Sequence, residues 1–94
     1  MSQEKGPDYY FQLGCTNMQS QHYTAAGVCL KEAIRLNPRE FRYYEKLGKA
    51  HYYQGQLHEA SKAILTARAL SDLERNPVSK ERHFLLNKVN IHLR

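Results

Sequence analysis

The side chains best able to do chemistry in this 94-residue chain are five histidines (His22, His51, His58, His83, His92) and two cysteines, Cys15 and Cys29. A metal site needs several such groups converging at close sequence spacing. None of the histidines has a metal-type pairing with a cysteine or carboxylate; His51 and His58 straddle Gly55. They read as surface or helix-packing residues. Cys15 has no recognisable Cys/His arrangement that would activate a nucleophile. The glycines are scattered singly, so no phosphate-cradling loop is present. These features point away from an enzyme and call for no metal and no cofactor. Binding chemistry is better represented: Arg42, Lys46 and Lys49 stand four and three apart, the spacing that puts three cations on one helix face.

Fourteen Lys and Arg against nine Asp and Glu give a formal charge of +5. That favours acidic partners but falls short of a polybasic tail. The length suits one small domain, and a chain of roughly this size buries only about 60–65% of its unfolded surface. Apolar and charged fractions of 41% and 24% are those of an ordinary globular chain. No apolar run approaches the ~18 residues of a bilayer span, so no membrane partner is expected. The first residues, "MSQEKGPDYY", hold no signal-peptide apolar stretch. A cytoplasmic or nuclear setting follows, with Cys15 and Cys29 as reduced thiols; their spacing alone leaves a disulfide open.

The elements that must position these groups come in two copies. Shifted by 34 (48 − 14), Tyr9-Tyr10 falls on Tyr43-Tyr44 and Leu13-Gly14 on Leu47-Gly48. Ala26 then meets Ala60, Leu30 meets Ile64, Ala33 meets Ala67 and Leu36 meets Leu70, with Asn37-Pro38 between the copies and Asn76-Pro77 after the second. Tyr10 and Leu13, like Tyr44 and Leu47, are three apart and share a helical face. Tyr23, Ala26, Leu30, Ala33 and Ile34 form a second stripe, and Leu57, Ala60, Ile64 and Ala67 its counterpart. Each copy is therefore predicted to be two amphipathic helices packed antiparallel. Gly48 lies where its surroundings favour helix, at a propensity cost of about 1 kcal/mol. Close approach of two helix backbones, Gly14 to Ala26 and Gly48 to Ala60, would offset that cost. Gly55 belongs to the inter-helix turn, where positive φ is useful; Gln21 holds the equivalent place in the first copy.

This order of aromatic, Leu-Gly, Ala, large apolar, Ala and Pro resembles the tetratricopeptide repeat family. The resemblance covers 7–40 and 41–74 and implies an all-α fold, two helix-turn-helix repeats of a right-handed α-solenoid. Asn17 and His51 depart from it where an aromatic is usual, and Asp72 where a proline is usual. "HFLLNKVN" (83–90) can be laid on "YFQLGCTN" and "YEKLGKAH" with an offset of 39 (86 − 47). Residues 77–93 are thus expected to be a capping helix that covers the second repeat with Val78, Leu85, Leu86, Val89 and Leu93.

In this family the first helices of successive repeats line a concave surface that receives a segment of a partner. Carried over by alignment, that surface takes Asp8, Phe11, Gln12, Cys15 and Gln19 from the first helix. It takes Arg42, Glu45, Lys46, Lys49, Tyr52 and Tyr53 from the third, and Glu81, Phe84, Leu85 and Lys88 from the cap. Phe11, Arg42, Lys46, Lys49, Tyr53, Phe84 and Lys88 are the candidate partner-binding residues. The family members that clamp the C-terminal carboxylate of heat-shock chaperones carry Lys and Asn where this chain has Phe11, Cys15 and Lys46, so that subtype does not apply. Three functions follow. The first is an adaptor or scaffold binding an acidic protein segment. The second is an assembly module that self-associates, or stacks on further repeats, through Phe11, Phe84 and Ile91. The third, less favoured, is nucleic-acid binding through Lys31, Arg35, Lys62 and Arg68, which acidic neighbours on the same helices weaken.

Overall fold

The computed structural model describes residues 5–75, and the expected capping helix, with Phe84 and Lys88, lies outside them. The chain forms four helices: α1 Pro7–Gln19, α2 Tyr23–Leu36, α3 Phe41–Tyr53 and α4 Leu57–Arg75. Pro7 opens α1, where its missing N–H costs nothing and its fixed φ suits the first turn. Glu40 caps α3 by accepting from the Arg42 backbone N–H at 3.3 Å. Among the described residues there is no strand, and no helix is long and apolar enough to cross a membrane.

The two hairpin turns are built alike. The His22 N–H donates to the Asn17 carbonyl at 2.8 Å, and the Gln56 N–H to the His51 carbonyl at 2.9 Å. Both are helix C-terminal closures that need one residue in the left-handed region. Gly55 takes it at φ 77° and Gln21 at φ 64°, so the first turn holds this geometry without a glycine.

Helix pairs α1–α2 and α3–α4 pack extensively, and α3 also packs on α2. The α1 and α3 backbones meet along a narrow edge, whereas α2 and α4 do not touch. The stack is therefore curved, with α1 and α3 converging on its inner side and α2 and α4 splayed on the outer. This is an all-α helical-repeat solenoid.

Ala26, Leu30 and Ala33 of α2 are fully buried, joined by Tyr43, Leu47 and Ala50 of α3 and by Ala60, Ala63 and Ala67 of α4. The close approach expected at Gly14 and Gly48 is present, but its main partner differs from the expected alanine. A Cβ on Gly14 would meet Leu30 Cγ at 2.9 Å and Cδ2 at 3.0 Å, with the Ala26 carbonyl oxygen at 3.5 Å. A Cβ on Gly48 would meet Ile64 Cδ1 at 2.7 Å, and the Ala60 carbonyl oxygen at 3.4 Å. The small alanine lets the backbones come near, and the large side chain one turn on fills the space the glycine leaves. With Asp72 where a proline would stop the helix, α4 runs through that position to Arg75.

The departures at Asn17 and His51 are each locally satisfied. Asn17 Nδ2 donates to the Leu13 carbonyl at 3.0 Å and lies 3.9 Å from Cys29 Sγ. His51 is buried and its Nδ1 lies 2.6 Å from Gln56 Oε1 in the turn, a helix-packing role. Cys15 and Cys29 are free thiols.

Candidate partner-binding surface

The seam between the two hairpins organises the surface. In its middle, Leu47 of α3 faces Gly27 of α2, 4.0 Å from where a Cβ would stand. At one end the Tyr23 and Tyr53 rings stack with centroids 4.8 Å apart. Gln54, which closes α3, donates from Nε2 to the Ala50 carbonyl at 3.1 Å and the Tyr23 carbonyl at 3.4 Å. Its Oε1 accepts from the Thr24 hydroxyl at 3.4 Å. At the other end the Phe11 ring meets the Tyr43 ring at 5.1 Å, and the Tyr43 hydroxyl lies 3.5 Å from Asp8 Oδ1. Burial pushes the Tyr43 phenol above its ordinary pKa, and the negative charges of Asp8 and Glu40 add to the shift.

The sequence-derived candidates within the described residues do not share one setting. Phe11 is half-buried and spans the inner edge between α1 and α3, so much of its ring serves the seam. Arg42 is exposed, but its guanidinium is engaged: Nη1 donates to Glu40 Oε2 at 3.0 Å and the group lies over the Phe41 ring at 5.0 Å. Lys46 is half-buried, and neither it nor Lys49 has an ion-pair partner among the described residues. Lys49 and Tyr53 line one cleft with Tyr52, against α4. Tyr53 thus belongs both to that cleft and to the Tyr23 stack.

The four cations considered for nucleic acid lie instead on the outer helices. Lys31 and Arg35 are on α2, Lys62 and Arg68 on α4. Arg35 is bonded to Glu32 Oε1 at 2.6 Å, which holds that carboxyl below its usual pKa. Arg68 still lines the α3–α4 cleft beside Lys49, so only the other three lie apart from the α3 lysines.

Two contributors escaped the sequence reading. Glu40 neutralises Arg42, and an acidic residue just before a helix, two positions from a cation, was a legible sign of it. Gln54 ties the hairpins together across 31 positions, and no local pattern reveals such a contact.

Compared with known families, residues 7–40 match the tetratricopeptide repeat model. Neither the curated proteins nor the solved structures gave a match.

Proposed function

We propose that this chain, a member of the tetratricopeptide repeat family through residues 7–40, holds an acidic segment of a partner protein along the inner side of α1 and α3. Repeats of this family are protein–protein interaction modules, and an adaptor or scaffold role is the specific form inferred for this one. The observation that carries the inference is that Lys46 and Lys49 of α3 have no ion-pair partner among the described residues. An acidic chain laid there would gain two cations that need not first break an internal ion pair. Arg42 would have to leave Glu40 to contribute, so it ranks below them. Tyr52 and Tyr53, both largely exposed, offer flat apolar area at small conformational cost.

The test uses fluorescent peptide pools in which Glu and Asp alternate with Leu and Phe, against matched pools carrying Lys. The acidic pool is expected to bind more tightly, and K46E/K49E to weaken it about tenfold at low salt, since each exposed contact contributes about 0.5–1 kcal/mol. Circular dichroism should show unchanged helix content. Equal binding of the two pools, or a reversal without effect, rejects the inference.

A further inference from the structure

The second hairpin carries a cleft of about 580 Å³ between α3 and α4, and its lining is divided by chemistry. Leu57, Ile64 and Leu65 of α4, with Tyr52 of α3, form an apolar wall. Lys49 of α3 and Arg68 of α4 add two cations, both exposed and neither with an ion-pair partner among the described residues. Arg68 stands one helical turn beyond Ile64, and Lys49 follows Gly48, the point where Ile64 comes closest to α3. Among the described residues no carboxylate lines this cleft. Further along, Glu45 and Asp72 balance Arg68 and Arg75 around an adjoining cleft of about 370 Å³, so the excess positive charge is confined to the first.

The repeat frame marks this pattern as a departure. Shifted back by 34, Lys49 and Arg68 are Cys15 and Ile34, both half-buried in the hairpin that α3 packs against. Leu65, 60% exposed, is Lys31. The second copy thus gains an apolar middle and a cationic border together. Covering Lys49 and Arg68 with apolar side chains alone would strip their hydration without return.

We infer that this cleft takes a bulky apolar side chain flanked by carboxylates from the partner segment, an assignment that rests on the acidic-segment function and adds an apolar anchor and a second helix, α4, to it. Ile64, Leu65 and Tyr52 cover the anchor, and Lys49 and Arg68 meet the carboxylates. Lys49 also belongs to the Lys46–Lys49 row, so one segment can pass from the inner side of α3 into the cleft. Charge selects this occupant over the two that the chain itself could offer. Residues 76–94 carry Lys80, Arg82, Lys88 and Arg94 against Glu81, a balance of +3 (4 − 1), and a second copy brings +5. Either would add like charge to a cationic cleft, whereas carboxylates complement it.

The test uses the full chain and three fluorescent peptide pools: Glu and Asp alternating with Leu and Phe, Glu and Asp alternating with Ser, and Lys alternating with Leu and Phe. The first is expected to bind about tenfold more tightly than the second, the effect of burying one large apolar side chain. Ser61→Trp fills the cleft from an exposed position without changing charge. It is expected to remove that advantage and to leave the second pool's binding as it was. Arg68→Glu is expected to weaken the first pool about fivefold at low salt. Circular dichroism should show unchanged helix content in both variants. Equal binding of the two acidic pools overturns the anchor, while the acidic-segment function stands as long as both exceed the lysine pool. A lysine pool that binds as tightly as the first overturns both. An advantage untouched by Ser61→Trp, or an Arg68→Glu without effect, also overturns the assignment, because the anchor then lies outside this cleft.

Discussion

The two hairpins share one sequence frame yet hold equivalent residues in opposite environments. Leu47 is 8% exposed while Leu13, its counterpart, is 39% exposed; Tyr43 is buried while Tyr9 is nearly half exposed. On the second helices the order reverses, with Leu30 buried and Ile64 exposed. The cause is position in the stack. Among the described helices, α3 has neighbours on both sides, α1 packs on α2 and the edge of α3, and α4 packs on α3 alone. A repeat thus supplies faces, and the adjacent unit decides which of them become core, as nearest-neighbour energetics of solenoids require.

The largest test of this comparison is truncation of the equivalent pair. Leu30→Ala is expected to cost about 2–5 kcal/mol, because it removes the one large side chain that is fully enclosed among the described residues. Ile64→Ala is expected to cost roughly 1–2 kcal/mol if its exposed side stays in water. Denaturant unfolding of the full chain measures both. Equal losses would break the asymmetry as drawn and would mean that Ile64 is covered as fully as Leu30.

The glycine pair gives an intermediate effect. In Gly14→Ala the new methyl would press on Leu30 Cγ, a branch point in a closed environment, and a loss of about 1–3 kcal/mol is expected. In Gly48→Ala it would press on Ile64 Cδ1 at 2.7 Å and Cγ1 at 2.8 Å, in a side chain that is 38% exposed and so has room to move. Ile64 can swing outward, and the gain in helix propensity of about 1 kcal/mol opposes the remaining strain. Gly48→Ala should therefore be nearly neutral by the same unfolding measurement. A loss at Gly48 as large as at Gly14 would show that Ile64 has nowhere to go.

Much of this was legible before any coordinates. The 34-residue recurrence of Leu-Gly and Ala fixes the hairpins, because close helix packing tolerates only small residues at those offsets. What the recurrence hides is the state of each copy: Ile64 and Leu30 read alike in sequence and differ only because a neighbour covers one of them. The candidate surface was less legible for a related reason. Helical spacing placed Arg42, Lys46 and Lys49 together, but the cation pattern alone left out Glu40, two positions before Arg42, and gave no sign of the ring that holds Phe11 in the seam. Side-chain partners across helices depend on crossing geometry, which periodicity does not encode.

The smallest effect sharpens the comparison at the turns. Both close through the same backbone hydrogen bond, and both need one residue at positive φ. A side chain there brings its Cβ near the following carbonyl, at a cost of roughly 1–2 kcal/mol that glycine avoids. Glycine also leaves the unfolded chain freer, which returns about 0.4–1 kcal/mol of that advantage. Gln21→Gly should therefore stabilise the chain by about 0.5–1 kcal/mol, and Gly55→Gln should destabilise it by a similar amount. Because nothing stands within 4 Å of a Cβ at Gly55, the second change tests backbone strain without a steric clash. Thermal unfolding of the two variants should move in opposite directions. If Gln21→Gly instead lowers the midpoint, the glutamine side chain contributes more to the first turn than its backbone strain removes, and the two turns are equal in shape but not in what holds them.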